Sequence, residues 1–158
     1  MSSTSSGNPK GVHRSTKLPS DPLSELWASI VVEDRIKQQL LGQAVVNFTV
    51  RPKVARSVLP LHGTILLVGL PGTGKTSLAR GLASETAKVF PRAGFKLLEI
   101  DPHELGSSML GKTQKAVSDL FSQTIAEAAM AGPTIVLLDE VETLAADRSK
   151  LSLQANPV

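Results

Sequence analysis

Apolar positions along this chain follow a helical rhythm first and a strand–helix alternation afterwards. Asp21-Pro22 pairs a capping residue with a proline suited to the first helical turn. Leu23, Leu26, Trp27 and Ile30 then fall at i, i+3, i+4 and i+7, which predicts one buried face of a short helix. Beyond Val31-Val32, the positions Ile36, Leu40, Leu41, Ala44 and Phe48 predict a second helix. Arg51-Pro52 should end it, because a residue before proline avoids the helical region. Lys53 to His62 reads as a connector with its own Pro60. Thr64 to Val68 is an uninterrupted apolar run of the kind expected of a strand covered on both faces. A glycine-rich turn follows, then a helix to about Lys88 with Leu78, Ala79, Leu82 and Val89 inward. Lys96 to Ile100 predicts a second strand. Val117, Leu120, Phe121, Ile125 and Ala128 mark a longer helix ending at Ala131-Gly132-Pro133. Thr134 to Leu138 predicts a third strand, closed by Asp139-Glu140. This alternation is that of an α/β fold with a parallel sheet.

Composition narrows the chemistry. The chain has 158 residues, the length of one ordinary domain, with 41% apolar and 20% charged side chains. Its net charge of +3 is unevenly placed. Residues 1–20 carry Lys10, Arg14 and Lys17 and no acid, and read as a disordered basic tail. Of 17 Lys and Arg, the other 14 face 14 acids in the remaining chain, so that body is neutral overall. With four Phe, one Trp and no Tyr, a base-stacking platform is not expected, and a nucleic-acid partner is argued against. The absence of Cys excludes disulfides, thiolate metal sites and a cysteine nucleophile, and fits a cytoplasmic setting. No apolar run is long enough to span a membrane.

Gly69-Leu70-Pro71-Gly72-Thr73-Gly74-Lys75-Thr76 satisfies G-x-x-x-x-G-K-[ST] between an apolar run and a helical pattern. Glycines let the backbone curl so that successive N–H groups face phosphate oxygens, and the following helix adds its positive end. Gly69, Pro71, Gly72, Thr73, Gly74, Lys75, Thr76 and Ser77 are therefore the candidate nucleotide-binding set. Lys75 would neutralise the β- and γ-phosphates, and Thr76 would ligate Mg²⁺ through its hydroxyl. A glycine-rich turn without a ligand is the competing account.

Thr134 to Leu138 followed by Asp139 and Glu140 is the second signal. Asp139 would hold Mg²⁺ through water, since that ion keeps several waters and uses few carboxylates. Glu140 would act as the general base that polarises an attacking water. Two solvated acids capping a strand are the plainer alternative. His13, His62 and His103 lack metal-ligand spacing. Glu142 and Asp147 fit the surface of a following helix, and Arg148 fits a surface ion pair or a phosphate contact.

Gly69 to Thr76 resembles the G-P-P-G-T-G-K-T loop of AAA+ ATPases, with Leu70 at one proline position. Asp139-Glu140-Val141-Glu142-Thr143-Leu144 resembles their second acidic motif. Leu26-Trp27-Ala28-Ser29-Ile30, Leu97-Leu98-Glu99-Ile100-Asp101 and Asp139 through Arg148 are most similar to pachytene-checkpoint-type remodellers of HORMA-domain proteins, bacterial members included. The resemblance runs from about Pro22 to the last residue.

That resemblance implies a P-loop NTPase with helices on both faces of a parallel sheet. It also implies ATP and Mg²⁺ as cofactors, and ring hexamers that hydrolyse ATP to pull a protein partner through a central pore. It places a substrate-gripping pore loop at Gly106 to Gly111, where this chain offers Met109 and Leu110 instead of the customary aromatic residue. The family's sensor strand, arginine fingers and helical lid have no counterpart before Val158. The expected layout is a basic tail over 1–20, helices and a connector over 21–62, and an incomplete AAA+ domain over 63–158. In the family sheet order 5-1-4-3-2, the Thr64 to Val68 strand would lack both neighbours. Three activities follow as alternatives: ATP-driven remodelling in a complete ring, nucleotide binding without turnover, or a helicase-type ATPase.

Overall fold

The computed structural model describes residues 11–55, 57–58, 63–101 and 110–140, with side chains of 110–114 left aside. Contacts divide the chain into two compact units, one spanning Lys17–Phe95 and the other joining residues up to Thr16 with those from Lys96 onward.

In the Lys17–Phe95 unit, three helices pack together. Helix α1 (Asp21–Ser29) is capped by Ser20, one residue before the position the sequence predicts, with Pro22 in its first turn. Helix α2 (Asp34–Thr49) stops just short of Arg51-Pro52, as expected. Helix α3 (Lys75–Val89) is the centre of the unit and packs on both of the others. Its buried residues are Gly81, Leu82, Ala83, Ser84, Thr86 and Ala87. This corrects the predicted inner face: Leu82 is inward, but Val89 is 48% exposed and Leu78 and Ala79 are only half-buried. Small side chains win the interior here because helix axes approach closely only where little projects between them. At the far end of α3, Phe48, Phe90 and Phe95 form an aromatic cluster, with Phe48 edge-on to Phe95 at 4.7 Å between ring centroids. Edge-to-face geometry at that spacing is the favoured aromatic arrangement.

The predicted Thr64–Val68 strand does not form. Residues 63–70 have no regular secondary structure, and the one sheet among the described residues does not include them. Leu66 is 73% and Val68 86% exposed, whereas Ile65 and Leu67 are half-buried, so the two-residue rhythm of a strand survives without its ladder. A strand exists only through the partners that take its N–H and C=O groups, and a run of apolar residues cannot supply them.

In the other unit, strands β2 (Lys96–Ile100) and β3 (Thr134–Leu138) occupy the predicted spans. They pair in parallel, with Lys96 opposite Thr134 and Ile100 opposite Leu138. Strand β1 (Arg14–Lys17) lies on the other side of β2, giving the order β1-β2-β3. Its neighbourhood is tied by His13 N–H to Glu99 C=O and by Leu18 N–H to Phe95 C=O, both at 2.9 Å. Partner numbers fall as the chain advances, so this edge runs antiparallel. Residues 11–20, expected in a disordered tail, are thus a correction: an edge strand needs a ladder to join more than it needs apolar side chains.

Leu97, Leu98, Glu99 and Ile100 are all buried, which makes β2 the covered central strand. Its Leu98 and Ile100 form a core with Val12 and Leu120, flanked by Ala116, Val117, Ile125, Ala128, Val136 and Leu138. The predicted long helix is present in three parts: α4 (Leu110–Asp119), a π-helical turn (Leu120–Ile125) and α5 (Ala126–Ala131). The wider π turn changes the sequence register of the inward face. Val117, Leu120, Ile125 and Ala128 reach the core as predicted, but Phe121 is turned out, 47% exposed.

Candidate nucleotide-binding loop and strand-end carboxylates

The loop Gly69–Thr76 closes on itself in the manner its residue types require. Gly72 and Gly74 hold positive φ angles of 77° and 83°, the left-handed region that costs an L side chain roughly 1–2 kcal/mol. Gly74 is also the N-terminal cap of α3, and its carbonyl accepts the first helical bond from Leu78 N–H at 2.8 Å. Lys75 folds back so that Nζ donates to the carbonyls of Gly69 and Leu70, both at 2.9 Å. Thr73 Oγ1 donates to the Leu70 carbonyl at 2.8 Å. A Cβ at Gly69 would stand 3.3 Å from Thr73 Oγ1 and 3.7 Å from Lys75 Cδ, so a side chain there would crowd the interior of the loop.

This geometry fits a polyphosphate. Loop carbonyls would repel an anion, and here two of them already accept bonds from Lys75 and Thr73. The Lys75 ammonium is held within the loop, beside a helix N-terminus that adds its own positive potential. Thr76 and Ser77 occupy the second and third positions of α3, and Pro71 lies in the exposed turn. All eight members of the predicted binding set therefore lie on one loop and one helical turn.

Asp139 and Glu140 directly follow β3 and are exposed. Asp139 Oδ1 accepts the Glu140 N–H at 3.0 Å. Glu140 adopts φ 49°, the one positive φ outside glycine among the described residues. Holding a non-glycine residue there costs of the order of 1–3 kcal/mol, and such strain gathers where a side chain must be aimed. The parallel register adds a carboxylate that sequence reasoning had not assigned to the site. Ile100 is opposite Leu138, so Asp101 and Asp139 follow at the same end of adjacent strands. The C-terminal end of a parallel sheet is where such folds take ligands. A register between two strands is invisible before pairing is known, so the stretch Leu97–Asp101 carries a family resemblance but no sign of a site role for Asp101.

The predicted pore loop through Met109 and the positions Glu142, Asp147 and Arg148 lie outside the described residues, as do His62 and His103. Leu110 opens α4. Among the described residues no helix is long and apolar enough to cross a membrane.

A glycine-rich phosphate loop opening a helix, together with an Asp-Glu pair at the end of a parallel strand, defines a P-loop nucleotide-binding class. Residues 65–156 match the model of the ATPase family associated with various cellular activities (AAA), and the chain belongs to that family. Among individual proteins, it is 73% identical over 150 residues to CD-NTase-associated protein 6 of Pseudomonas aeruginosa, covering 95% of this chain and 49% of that protein. It is 35% identical over 137 residues to a pachytene checkpoint protein 2 homolog of Arabidopsis thaliana, covering 83% of this chain and 29% of the relative. The structure of C. elegans PCH-2 superposes with a TM-score of 0.70 at 29% identity, over 89% of this chain and 38% of the other. The chain thus spans about half the length or less of these relatives. The similarity to pachytene-checkpoint-type proteins read from the motifs agrees with these matches.

Proposed function

We propose that this chain carries the nucleotide-binding part of an ATP-hydrolysing remodeller that acts on a protein partner. The observation that carries the reading is the self-closed loop in which Lys75 and Thr73 occupy the Gly69 and Leu70 carbonyls at a helix N-terminus. Gly69, Pro71, Gly72, Thr73, Gly74, Lys75, Thr76 and Ser77 bind the phosphates, and Glu140 is the base. Thr76, and Asp139 through water, would hold Mg²⁺, which when bound neutralises charge on the β- and γ-phosphates. Lys75 orients the phosphate chain, and Glu140 draws the proton of the attacking water toward its carboxylate. By its similarity to pachytene-checkpoint proteins, the assembled protein is a homo-oligomeric ring, hexameric in the family pattern. Its substrate would be a HORMA-domain protein and its location the cytoplasm. The layout of helices and a connector over 21–62 and an AAA+ segment over 63–158 belongs to the same proposal.

The test is a pair of variants. Lys75→Ala should remove binding of a fluorescent ATP analogue. Glu140→Gln in the assembled protein should keep that binding and lose phosphate release by at least a hundredfold. Normal turnover by Glu140→Gln would overturn the assignment of the base. A second reading, binding without turnover, is favoured by the exposed Leu66 and Val68, which leave the approach to the loop without strand support. Phosphate release from the 158-residue chain, lost in Lys75→Ala, would decide against it.

A further inference from the structure

The loop enters from residues 63–70, which belong to no strand, and leaves into α3, which is packed along its length. Within the Lys17–Phe95 unit, α3 is therefore the loop's regular support, and what fixes α3 fixes Lys75. The contact of α3 with α1 is unusually specific. Ser84, fully buried, accepts a hydrogen bond from Ser20 N–H at 3.0 Å and donates one to the Ser20 carbonyl at 3.0 Å. Its hydroxyl also meets Ser24 Oγ at 3.0 Å. A single side chain of α3 thus holds the cap and first turn of α1.

One turn earlier, Gly81 lies against Trp27. A Cβ at position 81 would come to 2.8 Å from Trp27 Cβ and 3.0 Å from its Cα, distances that backbone cannot yield without moving a helix. Trp27 is itself fixed from α2, where Lys37 Nζ donates to the Trp27 carbonyl at 2.7 Å and lies 5.3 Å from the ring centroid. At about 1.5 Å of rise per residue, Gly81 sits roughly 9 Å along α3 from Lys75.

We propose that α1 is a positioning element for the phosphate-binding loop, setting α3 through Ser84 and through the Trp27–Gly81 contact. Loosening that contact would then weaken nucleotide binding in a chain that remains folded. The inference rests on the reading of Gly69–Thr76 as a nucleotide site. Gly81 and Ser84 lie on α3 beyond the Gly69–Ser77 set, so both act through the helix.

The experiment uses a fluorescent ATP analogue, circular dichroism and the emission of Trp27, the only tryptophan in the chain. Ser84→Ala should raise the Kd about three- to tenfold at a temperature where the spectrum remains native. Gly81→Ala should raise it more than tenfold. Non-fluorescent ATP should shift Trp27 emission in the parent chain with a midpoint at its Kd, and Lys75→Ala should abolish the shift. If both variants melt earlier yet bind with the parent's Kd, the contact is structural only and the proposal is overturned. A silent Trp27 at demonstrated saturation would also overturn it. Failure of the parent chain to bind, or equal binding by Lys75→Ala, would instead bring down the nucleotide reading on which it rests. Should Gly81→Ala not fold, Ser84→Ala and the Trp27 titration still decide.

Discussion

Single residues in this protein owe their identity to different constraints, and the glycines separate them. Gly74 has open space around a Cβ but sits at φ 83°, so only its backbone conformation demands glycine. Gly81 is an ordinary helical residue, and Trp27 demands glycine there by crowding. Gly74→Ala should therefore destabilise by about 1–2 kcal/mol in urea denaturation. It should also weaken nucleotide binding, because the left-handed Gly74 sets how the closed loop meets the first turn of α3. Equal binding by Gly74→Ala would show that the left-handed cap is not needed by the ligand. Both the loop and the strand-end acids were legible in the sequence, since residue types at fixed spacing encode them. The left-handed backbone of Glu140 was not, because nothing in its side chain favours that conformation.

Elements were legible where their own periodicity decides them and obscure where a neighbour does. Helices α1, α2 and α3 and strands β2 and β3 lie close to the spans their apolar patterns give. Arg14–Lys17, polar throughout, becomes a strand because β2 offers it an edge, while the strongly apolar 64–68 does not, for want of one. The π-helical turn is the third such case. A pattern with 3.6 residues per turn assigns both Leu120 and Phe121 to the inner face, and the turn keeps only Leu120, at 2% exposure. Leu120→Ala should cost about 2–5 kcal/mol through the cavity it leaves in the core of Leu98 and Ile100. Phe121→Ala should cost under about 1 kcal/mol, as expected of a half-exposed position. Chemical denaturation of the two variants checks the register, and the reverse ranking would refute it.

At the scale of the whole molecule, the nearly neutral stretch from Lys17 onward divides into two parts of opposite charge. Residues 17–95 hold ten Lys and Arg against five Asp and Glu, while residues 96–158 hold five against nine. Between Asp34 and Glu85 there is no acid at all, and the phosphate-binding loop lies inside that stretch. A polyphosphate approaching the loop meets a unit of formal charge +5 (ten less five). Fields of this kind act mainly on encounter and fade with ionic strength, because the screening length drops from about 10 Å at 0.1 M salt to about 3 Å at 1 M. The association rate of ATP, followed by stopped flow, should fall about three- to tenfold between 50 and 500 mM salt, while the dissociation rate changes less. Lys53→Glu combined with Arg92→Glu, both at exposed positions away from the loop in sequence, takes the unit from +5 to +1. That double variant should bind more slowly at low salt and respond less steeply to added salt. An association rate indifferent to salt in the parent chain would mean that the acid-free stretch does nothing for capture, leaving Lys75 and the loop amides to recruit the nucleotide by contact alone.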